Sequence, residues 1–114
     1  MFDRSQLMRG TLEGCILHII GAHPTYGYDI VTRLQGFGFA DVREGTIYPL
    51  LMRLEKKKAI AGEYRPSALG PRRKYYSLTP DGRQLLYDFI ACWGEHRRAV
   101  DSVLDWRGED ADAE

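Results

Sequence analysis

Apolar positions recur along this chain in a helical rhythm three times, then alternate briefly, and finally settle into a long seven-residue repeat. Leu7, Met8, Leu12, Cys15, Ile16, Leu17, Ile19 and Ile20 predict a first helix that is apolar around most of its circumference. Such a helix must be covered on more than one side. In a chain of 114 residues the second cover is expected from another subunit. Gly21 and Pro24 end this helix, and Thr25 offers an N-cap to a second one with Ile30, Leu34 and Phe37 on its buried face. Gly36-Phe37-Gly38-Phe39 breaks the second helix.

A third helix follows, with Ile47, Leu50, Leu51 and Leu54 at i, i+3, i+4 and i+7 and Pro49 expected in its first turn. The face opposite that stripe carries Thr46, Tyr48, Arg53, Lys56 and Lys57, mostly cationic or hydrogen-bonding groups suited to a DNA major groove. Two helices joined this way form a helix-turn-helix. Past Ile60 the period shortens: residues 62–65 and 74–78 predict two strands, with residues 66–73 as a turn-rich loop ending in Arg72 and Arg73. A helix-turn-helix followed by a basic hairpin describes a winged helix.

Thr79-Pro80-Asp81-Gly82 is a strong helix start, combining an N-cap, a proline at the first helical position and an acid near the positive dipole end. The helix it opens is expected to reach about Trp106, a length of roughly 40 Å. Leu86, Trp93 and Val100 repeat every seven residues; Phe89, His96 and Val103 form a companion row, and Leu85, Ile90 and Leu104 widen the stripe. One small domain cannot cover so long a stripe. Pairing with a second copy is the expectation, against the alternative of a helix packed only on its own domain. The fold class is mainly α (α+β): a winged helix in residues 1–78 and a dimerisation helix in 79–106 of the same compact unit. Residues 107–114 form an acidic tail without apolar anchors, expected to be disordered.

Charge sharpens this picture. The formal net charge is zero, but residues 43–74 hold nine basic and three acidic residues, a local balance of +6. Residues 101–114 hold six acidic residues and one arginine, a balance of −5, so a polyanion surface belongs in the middle of the chain. Tyr26 and Tyr28 fall where a helix N-terminus could hold phosphate, alongside the reading that one is core and the other surface. The candidate DNA-binding residues are therefore Tyr26, Tyr28, Thr46, Tyr48, Pro49, Arg53, Lys57, Arg72, Arg73 and Lys74. The candidate subunit interface comprises Leu12, Ile16, Ile19, Leu86, Phe89, Trp93, Val100 and Val103.

A two-fold axis near the middle of the last helix would bring Trp93 close to its symmetry mate, with Cys15, Ile16, Phe89 and His96 nearby. That arrangement either clamps a planar aromatic ligand, acting as an effector pocket, or simply fills the dimer core. Cys15 and Cys92 sit in apolar helical patterns without a C-x-x-C pairing and are expected to be buried small side chains, with a redox-sensing role as the alternative. No apolar run approaches membrane-spanning length and no basic-then-apolar pattern marks the N-terminal residues, so a cytoplasmic location is expected. His18, His23 and His96 lack metal-ligand spacing, no glycine loop follows a strand, and no serine sits in a nucleophile context. Neither a metal, a cofactor nor catalysis is expected.

Three stretches together resemble the PadR family of winged-helix transcriptional regulators in its short form. These are Tyr26-Gly27-Tyr28-Asp29-Ile30, then Gly45-Thr46-Ile47-Tyr48-Pro49-Leu50-Leu51 with Arg53-Leu54-Glu55, then Arg73-Lys74-Tyr75-Tyr76-Ser77-Leu78-Thr79-Pro80-Asp81-Gly82. The resemblance covers nearly the whole chain in order. It implies a homodimer held by the first and last helices that binds a palindromic operator on double-stranded DNA and usually represses. The competing class is a winged helix used as a protein–protein interaction module, which would not need this clustering of cations. One departure stands out: Lys58 replaces a glycine that commonly ends the family's recognition helix. Either the helix ends differently here, or a lysine occupies a left-handed cap at roughly 1 kcal/mol or more relative to glycine. The acidic tail is not explained by the family pattern.

Overall fold

The structure, a computed structural model, describes residues 1–109. The acidic tail lies mostly beyond them, so its expected disorder falls outside the described residues. The order of elements is α1 (Arg4–Met8), α2 (Leu12–Ala22), β1 (Thr25–Tyr26), α3 (Gly27–Phe37), α4 (Glu44–Lys56), β2 (Ile60–Ser67), β3 (Gly70–Leu78) and α5 (Pro80–Asp105). This is the expected winged helix-turn-helix with a long C-terminal helix.

The first predicted helix is two. Gly10 has a φ of +91°, a conformation that costs glycine nothing, and the Thr11 hydroxyl donates to the Met8 carbonyl at 2.8 Å across the break. Only α2 enters the core. Ile16, Leu17 and Ile20 are 1 % exposed or less, as are Ile30 and Leu34 of α3 and Ile47, Leu51 and Leu54 of α4. The apolar girth of α2 is thus covered within one chain, by α3, the sheet and α5. Leu12, Ile16, Ile19 and Leu86, expected at the subunit interface, belong to this core, with exposures of 7, 0, 8 and 5 %. They have almost no surface left to offer a partner.

Thr25 is not the cap of α3. It lies in β1, a two-residue strand that pairs Thr25 with Tyr76 and Tyr26 with Tyr75, giving a sheet of order β1-β3-β2. Its hydroxyl donates to Asp29 Oδ2 at 2.6 Å, and Arg33 Nε donates to the same oxygen at 2.8 Å. Burial would raise the Asp29 carboxyl, but the hydrogen bonds from Thr25 and Arg33 outweigh it and hold the group below its ordinary value. Phe37, expected on the buried face, ends α3 with 77 % of its surface exposed. Gly38, at φ +123°, then turns the chain toward α4.

Pro49 sits in the second turn of α4, not the first, because the helix already begins at Glu44. Its missing N–H leaves the Gly45 carbonyl without a helical donor; both residues are exposed, so water can serve that oxygen. At the other end Lys58 takes φ +64°, the one positive value outside glycine among the described residues. Lys58 N–H donates to the Glu55 carbonyl at 2.9 Å and Ala59 N–H to the Leu54 carbonyl at 3.0 Å, the paired bonds of a Schellman cap. The lysine accepts the left-handed strain, and the helix ends where glycine would have ended it.

The hairpin is longer than expected. β2 and β3 run in antiparallel register from Ile60↔Leu78 to Ser67↔Gly70, so Arg72 and Arg73 lie in a strand and only Ala68 and Leu69 remain as the turn. Pro66 is tolerated at a register shift between Arg65 and Ser67. α5 starts as expected, with the Thr79 hydroxyl accepting from Gly82 N–H at 3.0 Å and Pro80 at the first position. Two glycines allow its close approach: a Cβ on Gly14 would enter the Phe89 ring, and one on Gly82 would collide with the Ala59 carbonyl. Beyond Leu86 the helix leaves the core, and the molecule reaches 68 Å in its longest dimension.

Candidate nucleic-acid interface

The Tyr48 ring leans from α4 across the start of α3. A Cβ on Gly27 would stand 2.7 Å from Tyr48 Cε1, so only glycine lets the two helices meet this closely. Burial, reinforced by Glu44, pushes the Tyr48 phenol above its ordinary pKa, and it stays a neutral hydrogen-bonding hydroxyl. Around it the fold gathers Tyr26, Tyr28, Arg72, Arg73, Lys74 and Tyr76 in a cleft of about 290 Å³. These residues come from β1, the first turn of α3, α4 and β3. The wing strand closes over the N-terminal end of α3, where unpaired backbone amides favour anions.

Strand alternation divides the wing into two cation–tyrosine faces. On one face the Arg65 guanidinium lies 4.7 Å from the Tyr75 ring centre and that of Arg73 lies 4.5 Å from Tyr26, whose ring is 5.2 Å from Tyr75. On the other, Arg72 and Lys74 lie 5.5 and 5.7 Å from the Tyr64 ring. The flat tyrosines hold long side chains extended along the hairpin without neutralising them. Arg72 and Arg73 therefore keep their charge available to phosphate.

Lys74 differs from them. Its ammonium donates to Glu55 Oε1 at 2.8 Å, and both side chains are only about a third exposed, at 31 and 33 %. The hydrogen bond it donates to Glu55 raises the Lys74 pKa. Gly62 makes the pair fit, because a Cβ there would meet the lysine stem and stand 2.9 Å from Glu55 Oε2. Lys74 thus ties the wing to the last turn of α4. Arg53, expected to face a groove, instead turns toward α2 and donates to Glu13 Oε1 at 2.6 Å. Thr46, Pro49 and Lys57 are exposed on α4 and at its C-cap, outside the cleft. Missing from the sequence reading were Gly27, Gly62 and Glu55. Their effect depends on which distant side chain lands beside them, and no local pattern records that.

The second predicted site sits at the other end of the molecule. An open groove of about 910 Å³ is lined by Cys15, Phe89, Trp93 and His96 together with Met8, Val100 and others. Ile16, placed there from the sequence, is fully buried behind it. Trp93 and His96 lie 6.3 Å apart, ring centre to ring centre. Cys15 is half-buried, and burial raises its thiol pKa; Cys92, expected to be buried, is exposed on the same groove. No cluster able to hold a metal ion occurs among the described residues, and none of their helices is long and apolar enough to cross a membrane.

A basic-faced helix, a cationic hairpin wing and a tyrosine-lined cleft between them define a winged helix-turn-helix of the nucleic-acid-binding type. Residues 16–88 match the transcriptional regulator PadR-like family, and the chain belongs to it. The members of that family are transcriptional regulators rather than enzymes. The chain is 45 % identical to a PadR-like transcriptional regulator of Bacillus cereus, whose solved structure it matches with a TM-score of 0.81 over 90 % of this chain and 99 % of that one. A PadR family regulator from Eggerthella lenta is 32 % identical, with a TM-score of 0.82 over 91 % of this chain and 90 % of that one. Bacillus subtilis PadR, solved in complex with operator DNA, is 28 % identical with a TM-score of 0.64, over 73 % of this chain and 48 % of that one.

Proposed function

We propose that this protein is a cytoplasmic, homodimeric, sequence-specific DNA-binding regulator that represses its target genes. The observation that carries the DNA reading is the cleft itself: Tyr26, Tyr28, Tyr48, Arg72 and Arg73 converge from four elements beside the exposed face of α4. α4 enters the major groove; the cleft and wing hold the flanking phosphates. Lys57 adds a backbone contact from the end of α4. That a relative is solved in complex with operator DNA supports the DNA reading.

Dimerisation rests on α5. Trp93, Val100 and Val103 are 43, 42 and 67 % exposed, and with Phe89 they continue the seven-residue repeat past the point where the core ends. Covering them with a second copy would place the two α4 helices on successive turns of one face of a palindrome. Residues 1–78 and 79–106 then divide the labour between DNA and partner. The groove at Trp93 suits a planar aromatic effector, which releases DNA only by binding the DNA-incompetent arrangement more tightly, about 1.4 kcal/mol for each tenfold effect.

Salt titration tests the DNA reading against a protein-interaction module. Phosphate contact makes log K fall with log salt at about −0.9 per phosphate neutralised, measured on duplexes captured from genomic DNA. Failure to bind any of them at low salt would refute it. Loss of operator binding and quenching of Trp93 fluorescence by one planar aromatic compound over one concentration range, in a Trp106→Phe background, supports the effector role. Release without change at Trp93 reduces the groove to a packing surface.

A further inference from the structure

The outer face of α4 is less polar than its cationic neighbours suggest. Ile47, Leu51 and Leu54 are buried, and at 3.6 residues per turn the line opposite them runs through Gly45, Pro49, Met52 and Lys56. Met52 is 70 % exposed there, and a side chain at Gly45 would meet nothing within 4 Å. The polar residues stand to either side. Tyr48 leans over Gly27, and Arg53 is drawn off to Glu13. What the line opposite the core presents is a rigid proline ring and a flexible thioether, with Lys56 beyond them.

In a major groove the apolar feature of a base edge is the 5-methyl group of thymine. We infer that Pro49 and Met52 form an apolar reading ridge for thymine methyl groups. The operator half-site would then place T·A pairs beneath the middle of α4. The inference rests on the DNA-binding reading and deepens it by naming what the helix recognises. The ridge is flanked by the +6 stretch that attracts DNA, which favours this occupant over an apolar protein surface. Pro49 and Met52 rise about 4.5 Å apart along the helix axis, close to the roughly 3.4 Å between stacked bases. A helix lying along the groove sets them over neighbouring base pairs. Methionine adapts its three rotatable bonds to the methyl it meets, and proline does not.

The test uses the full chain and the tightest duplex selected from a random-sequence pool. Each thymine of a half-site is replaced in turn by uracil, which removes the methyl and leaves base pairing intact. One or two positions per half-site are expected to lose roughly fourfold in affinity, the size of one buried methyl group. Met52→Ala should bind more weakly and no longer distinguish thymine from uracil at one of them, with its thermal unfolding unchanged because the side chain is exposed. Equal binding of thymine and uracil duplexes at every position would overturn the ridge while leaving DNA binding intact. So would a Met52→Ala variant that kept the full discrimination. If no duplex is enriched at all, the operator reading fails and the ridge with it. If Met52→Ala alters self-association and leaves the DNA response as it was, the ridge is a protein contact instead.

Discussion

The two ends of this molecule put the same apolar residue types to opposite uses. In the winged-helix end, leucines and isoleucines of α2, α3 and α4 close on one another until Ile16, Ile30, Ile47, Leu51 and Leu54 have no exposed surface. In α5 beyond Leu86, an equally regular stripe ends with Val103 at 67 % and Leu104 at 76 % exposure. The difference lies in complement rather than composition. Each helix of the first region meets a partner a short loop away; the end of α5 extends past the core of its own chain. A periodic apolar stripe therefore says that a helix will be covered, not by whom.

The sharpest way to break that contrast is to injure each end separately. Leu51→Ala should lower unfolding stability by about 2–5 kcal/mol, measured in denaturant, because it opens a cavity in a closed core. Val103→Ala should move the unfolding of the single chain by less than about 0.5 kcal/mol. If α5 joins two copies as proposed, Val100→Asp should leave the fold intact and shift the protein from dimer to monomer in sedimentation at micromolar concentration, since it places an unpaired carboxylate in the proposed interface. A Val100→Asp protein that still sediments as a dimer would mean that the open stripe does not join the subunits.

A finer cut separates the cations proposed to touch DNA from the one that holds the wing. Replacing Arg72 and Arg73 by Ala should flatten the salt dependence of DNA binding by about 0.9 in log–log slope for each phosphate left without its cation. Lys74→Met should weaken binding and leave that slope unchanged, because Lys74 already spends its charge on Glu55. Glu55→Gln should instead free the Lys74 ammonium for phosphate and steepen that slope by up to about 0.9. A slope that drops with Lys74→Met would return Lys74 to the residues that hold phosphate. At the end of α4, Lys58→Gly should relieve the left-handed strain and raise stability by up to about 1 kcal/mol, read as an upward shift in Tm.

The amino-acid pattern was enough to name the elements that recur with a local rhythm. The stripe Ile47-Leu50-Leu51-Leu54, the Thr79-Pro80 start of α5 and the basic hairpin need only neighbours within a turn or a strand, and each stands where its spacing puts it, except that the hairpin strands run on to Ser67 and from Gly70. The wing cations and the tyrosines were visible for the same reason, since residue type and spacing announce a polyanion surface. Fate beyond one turn was another matter. Thr25 has the chemistry of an N-cap, yet it pairs with Tyr76, far along the chain, and becomes a strand. Arg53 and Lys74 are cations like Arg72 and Arg73, but Glu13 and Glu55 reach the first two. Gly14, Gly27 and Gly82 look alike in the chain; each matters only because Phe89, Tyr48 or the Ala59 carbonyl arrives against it. Periodicity is a property of consecutive residues and survives in the sequence. Which charge is neutralised, which stripe is covered and which missing Cβ matters depend on groups brought together from tens of residues apart, and they exist only once the chain has packed.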